Sequence, residues 1–77
     1  MKITVTQNNI DNGVPKNSCK CPIARALKQI FPGEDIEVKR SSIYIGKSTS
    51  YAMPLKACYF IIDFDEGREV KPFEFEV

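Results

Sequence analysis

Phe73-Glu74-Phe75-Glu76-Val77 alternates an apolar residue with a carboxylate at every step. A period of two places the apolar side chains on one face of an extended strand and both glutamates on the other. The same pattern recurs in Ile3-Thr4-Val5, Ile36-Glu37-Val38 and Ile43-Tyr44-Ile45. Strands with a single apolar face need a sheet that is covered on one side and meets water on the other. Two helical stretches are available as the cover. In the first, Ile23, Ala26, Leu27, Ile30 and Phe31 form one apolar stripe, with Arg25, Lys28 and Gln29 opposite. Pro22 suits the first helical position, where its missing N–H would have had no partner, and Pro32-Gly33 stops the helix.

A second helix is expected from about Pro54 to Asp65. Leu55, Cys58, Tyr59 and Ile62 lie at helical spacing on it, Phe60, Ile61 and Phe64 widen its apolar face, and Gly67 is placed to cap it. The predicted order is β-α-β-β-α-β, as in the ferredoxin-like split βαβ arrangement. The expected architecture is an α+β two-layer sandwich with a four-stranded, mainly antiparallel sheet and both helices on one face. Residues 1–77 make one domain. The stretch from Gln7 to Lys20 is dense in turn formers and is expected to be a long loop, as is the polar Lys47-Ser48-Thr49-Ser50.

A chain of 77 residues buries only about 60–65% of the surface its unfolded form exposes, so the core is marginal. The small core, the apolar second helix and the open edge of the last strand together predict a homodimer. No run of residues approaches the roughly 18 apolar positions of a membrane helix. The N-terminus turns polar by Gln7, unlike a signal peptide, so a cytoplasmic location is expected, with thiols reduced. Charge is divided along the chain. Residues 1–56 hold nine Lys and Arg against four Asp and Glu, and residues 57–77 hold two against six, a net +5 followed by −4. Such a split makes a dipolar surface if folding keeps the halves apart.

Three cysteines is an odd count, which speaks against a disulfide framework. Cys19 and Cys21 sit one residue apart at the expected start of the first helix. Structural zinc wants four Cys or His ligands, and the chain has no histidine, so neither a metal nor any other cofactor is expected. Cys21 would lie at the helix N-cap, where the dipole and unpaired N–H groups favour a thiolate, with Lys20 and Arg25 adding positive charge. Cys19 and Cys21 are therefore candidate reactive thiols. The competing reading is a small buried residue closing the loop onto the helix, and it is favoured.

Gly46-Lys47-Ser48-Thr49 has the ending of a P-loop, but position 41 is serine where that motif needs glycine, and the intervening residues form a strand. Lys47 and its hydroxyl neighbours retain only the capacity to touch an anion. Asp63, Asp65, Glu66 and Glu69 cluster at the end of the second helix, which suits solvated carboxylates. Without histidine, the usual acid–base catalyst is missing, and no enzyme activity is expected. Nucleic acid is the other ligand class for this topology. The open sheet face would offer Tyr44 among glutamates, a poor stacking platform, whereas basic residues gather near the first helix.

Cys21-Pro22-Ile23-Ala24-x-Ala26-Leu27, with Phe64-Asp65-x-Gly67-x-x-Val70-x-Pro72-Phe73-x-Phe75 and the opening Ile3-Thr4-Val5-Thr6, resembles small accessory proteins of no assigned activity encoded in bacteriophage genomes. The resemblance spans most of the chain and its motifs are structural. It implies a setting in an infected bacterial cell and a role in binding a host or defence-system protein. The binding residues expected for such a role are Lys20, Arg25, Lys28, Tyr44, Lys47 and Tyr51. The alternative is a nucleic-acid or nucleotide binder using Lys20, Arg25, Lys28 and Lys47. A cysteine-dependent redox or metal protein using Cys19 and Cys21 is a third reading.

Overall fold

A computed structural model describes all 77 residues. The elements in chain order are β1 (Lys2–Val5), α1 (Gln7–Asn12), α2 (Pro22–Ile30), β2 (Ile36–Val38), β3 (Ser42–Ile45), β4 (Thr49–Ala52), α3 (Leu55–Asp65) and β5 (Phe73–Glu76). The protein is a small α+β domain with five strands in two antiparallel sheets and three helices. No helix is long and apolar enough to cross a membrane.

The four expected strands are all present, but they do not form one sheet. β1 pairs with β5, and β2, β3 and β4 make a separate meander. The cause is β4, which the polar composition of residues 47–50 concealed. It takes the second edge of β3, so β3 already has β2 and β4 as neighbours and has no edge left for β1. β1 keeps β5 as its partner, with Ile3 opposite Phe75 and Val5 opposite Phe73. The one-faced reading of the strands holds: Ile3, Val5, Ile36, Val38, Ile43, Ile45 and Phe75 are buried, and their neighbours in sequence point outward.

The expected 7–20 loop begins instead with α1. Thr6 caps this helix through a reciprocal pair of bonds. Its N–H donates to Asn9 Oδ1 (2.9 Å), and the Asn9 N–H donates to Thr6 Oγ1 (3.2 Å). Asn9 is buried and also reaches Gln29 of α2 through Nδ2 (3.5 Å). At the end of α1, a Cβ on Gly13 would sit 2.7 Å from both Cδ and Cγ of Pro22. Only glycine lets the end of one helix lie this close to the start of the next.

The rest of the loop is pinned at both sides. Ser18 O accepts from the Val38 N–H (2.8 Å), and the Lys16 N–H donates to Asp65 Oδ1 (2.8 Å). Lys16 itself is left-handed (φ 58°). Asp65 thus lies beside the basic half of the chain, and Lys2 pairs with Glu74 across β1 and β5 (3.4 Å). Folding interleaves the two charge halves.

α2 touches both sheets, packing on β1 and on β2, with α1 against it as well. Its stripe is buried through Ile23, Ala24, Ala26 and Leu27, but Ile30 is exposed at the end. α3 is turned differently from the sequence expectation. Its inward side is Ala57 and Phe60, with Ile61 and Phe64 partly buried, whereas Leu55, Tyr59 and Ile62 face solvent. The Phe60 ring stacks on Phe73 (4.5 Å between centroids), and Phe73 on Phe75 (5.5 Å), which ties α3 to the β1–β5 pair. Gly67 (φ 79°) follows Glu66, the cap residue of α3. Its N–H donates to Phe64 O (3.1 Å) and the Arg68 N–H donates to Asp63 O (2.9 Å), closing the helix in a Schellman motif.

Candidate functional site

The expected binding residues fall into three places. Lys28 lies in the last turn of α2, and its ammonium donates to Cys19 O (2.8 Å), folding the side chain back over the loop. Tyr44 points out from the middle of β3, since its neighbours Ile43 and Ile45 point in. Pro32-Gly33 reverses the chain between them, so α2 and β2 run side by side. Lys28, Cys19 and Tyr44 consequently share a depression of about 760 Å³ with Glu34, Asp35 and Glu37. The juxtaposition of a lysine, an aromatic and three carboxylates was not evident in the sequence. Its local signal was the Pro-Gly reversal, which returns residues 34–37 to the level of residue 28.

Arg25 is half-buried on the neighbouring side of α2 and opens onto a smaller polar hollow of about 260 Å³ shared with Asn8, Asn12, Lys28 and Gln29. Its Nε is shielded from solvent and has no hydrogen-bond partner. Lys20 stands exposed in the loop before α2, and Lys47 stands exposed on the turn between β3 and β4. Tyr51 does not join Tyr44. It lies opposite Ile43 in the β3–β4 register, one residue out of phase with Tyr44, so it faces the core and packs against it. Both tyrosines are expected from the sequence to serve as binding residues with Lys47. Strand pleating sends them to opposite faces.

The thiols also separate. Cys21 is the N-cap of α2 as expected, and its Sγ accepts the Ala24 N–H (3.4 Å). It borders a cleft of about 440 Å³ that also includes Lys16, Lys39, Arg40, Asp65 and Glu66. Its pKa is nevertheless pushed up, not down. Burial disfavours the thiolate, and this outweighs the N–H groups of Ala24 and Ile23 that favour it; the nearby Asp65 charge adds to the rise. A thiolate-promoting N-cap requires solvent access, and Cys21 is only 3% exposed. Cys19 is exposed, and Cys58 is half-buried with its Sγ donating weakly to Met53 O (3.8 Å). All three cysteines are free, and no group of three or more Cys, Asp or Glu side chains is arranged to hold a metal ion.

These positions predict a sharp difference in reactivity. An alkylating reagent applied to the native chain near neutral pH is expected to modify Cys19 first. Modification of Cys21 is expected to be slower by on the order of a hundredfold, because it must await local opening. Mass spectrometry of the digested product checks this, and comparable rates at the two thiols would contradict it. The raised pKa also carries a sign for stability. The folded state holds the Cys21 proton more tightly than the unfolded chain. Its contribution is therefore intact below the ordinary thiol pKa and is lost as pH rises above it. Cys21→Ala is expected to flatten that part of the alkaline decline.

Comparison with known proteins returns no matching family model, no matching curated protein and no matching solved structure.

Proposed function

We propose that this chain is a small, non-enzymatic interaction protein that binds a bacterial host or defence-system protein in the cytoplasm of an infected cell. The observation that supports it is the depression shared by Lys28, Tyr44, Glu34, Asp35 and Glu37. Tyrosine anchors protein interfaces because it buries a large surface with few rotatable bonds, and a surround of both charge signs selects a complementary polar surface. The same three carboxylates repel phosphate, which favours a protein over a nucleic acid at this place. The bacteriophage setting rests on the resemblance carried by the Cys21–Leu27 and Phe64–Phe75 motifs.

Affinity purification of the tagged chain from bacterial lysate is the test. A single stoichiometric partner is expected. Tyr44→Ala and Lys28→Glu are each expected to weaken its retention by about tenfold or more, the scale of a central interface residue. Tyr44 is exposed and its side chain makes no hydrogen bond, so Tyr44→Ala should leave folding intact, whereas Lys28→Glu also gives up the bond to Cys19 O, and its far-UV circular dichroism spectrum is compared with that of the unaltered chain. Absence of any stoichiometric partner, or retention unaffected by both variants, would count decisively against the proposal.

One observation favours nucleic acid as a second reading: the smaller hollow joins Arg25 and Lys28 with Asn8, Asn12 and Gln29 and has no carboxylate in its lining. Binding there would weaken steeply with salt. Undetectable affinity for DNA, RNA and nucleotides at low ionic strength would remove this reading.

A further inference from the structure

We propose that α3 pairs with the α3 of a second copy of this chain, antiparallel and about a two-fold axis. The starting point is the outer side of the helix. Leu55 is 71% exposed, Tyr59 61% and Ile62 37%. Spacings of four and three residues put them on one stripe, turned away from the buried Ala57 and Phe60. α3 is therefore apolar on two sides, and the fold of one chain covers only one of them.

The charges on α3 say what covers the other. Lys56 sits in the first turn, and the last turn holds Asp63 and Asp65, with Glu66 as the cap. This is the reverse of what the helix dipole favours, which is acid at the N-terminus and base at the C-terminus. Arg68 compensates Asp63 in part (3.1 Å), and the cap residue Pro54 offers the first turn no side-chain acceptor. An antiparallel neighbour of the same sequence corrects both ends at once. It brings the acidic end of one helix to the Lys56 end of the other and opposes the two dipoles.

The spacing also has the self-complementarity that a two-fold interface demands, in which residue i meets j while j meets i. Lys56 and Asp63 are seven residues apart, two helical turns, on the same flank of the stripe. Leu55 and Ile62 are also seven apart. Both pairs are centred near Tyr59. A two-fold axis there places Leu55 against Ile62 of the partner subunit and Lys56 beside Asp63 of the partner subunit, with the two Tyr59 rings meeting at the axis. An unrelated partner would have no reason to match a pattern symmetric about one tyrosine. This surface shares no residue with the Lys28–Tyr44 depression, so a dimer leaves that binding site open, and either proposal can fail without the other.

Sedimentation equilibrium of the full chain, at low salt and across concentration, is the experiment. A mass of twice 8.7 kDa is expected, reached by about 100 μM, the weak end of specific association. Tyr59→Glu is expected to give a monomer with an unchanged far-UV circular dichroism spectrum, because the residue is exposed. Lys56→Glu is expected to raise the dimer dissociation constant about tenfold by setting like charges together twice, and adding Asp63→Lys is expected to bring it back to within about threefold of the original. A chain that stays monomeric at about 1 mM overturns the proposal. So does a dimer indifferent to Tyr59→Glu, which would place the contact elsewhere, or a charge reversal that the second change fails to rescue, which would refute the antiparallel register.

Discussion

Phe75→Ala is expected to lower stability by about 3–5 kcal/mol, the cost of truncating a buried phenylalanine. Phe75 is 2% exposed and lies at the centre of the β1–β5 pair, directly across from Ile3. Its ring stacks on Phe73, which stacks on Phe60 of α3, so one deletion removes the inner end of an aromatic row joining strand to helix. The cavity would open under the β1–β5 pair, and a two-stranded sheet is not stable alone. Domains hold about 0.05–0.15 kcal/mol per residue, so a chain of this length has on the order of 4–12 kcal/mol in total. The loss is therefore about a quarter or more of the whole. Urea titration followed by circular dichroism checks it, with the midpoint falling by roughly 2–4 M at the small slope of a domain this size. A loss below about 1.5 kcal/mol would show that the site collapses around the deletion or that the row carries little load.

Leu27→Ala is the second large effect, at about 2–5 kcal/mol. Leu27 is fully buried on α2, and α2 is the element that packs on a strand of each sheet, β1 on one side and β2 on the other. The two sheets share no ladder. Their relative placement therefore depends on side chains of α2 rather than on backbone hydrogen bonds. Removing Leu27 is expected to lower stability and also to loosen the docking of the β2–β3–β4 meander, so that amide exchange in the meander accelerates more than exchange in β1 and β5. Uniform acceleration across both sheets would instead mean that the domain opens only as a whole. Ile30, three residues on in the same helix, is exposed, and Ile30→Ala should cost far less.

Several elements were legible because their signals are local. Pro22 and Cys21 mark the start of α2, Pro32-Gly33 its end, and Gly67 the close of α3, each through backbone groups within a few residues. The alternation in β1, β2, β3 and β5 identifies both the strand and its inner face. α1 was hidden because six residues with a single apolar side chain have no period, and because asparagine at its third position does the work glutamate or glutamine usually does in a capping box. β4 was hidden because an edge strand with one core-facing residue, Tyr51, has almost no alternation to detect. At the candidate site, Lys28 and Tyr44 could be named as exposed residue types. The three carboxylates beside them, and the inward turn of Tyr51, depend on register.

Local patterning along the chain sets which segments are extended, where α2 and α3 begin and end, and which side of each strand is apolar. Those properties follow from side-chain periodicity and from caps that act over one turn. The choice of strand partners is a property of the assembled fold, because pairing depends on which edges are already occupied: β4 fills the free edge of β3 and leaves β1 to β5. The assembled fold also sets which of two apolar faces α3 turns inward: Ala57 is buried there and Phe60 stacks on Phe73. The same competition for burial raised the pKa of Cys21, a thiol that its position at a helix start would have lowered in the open.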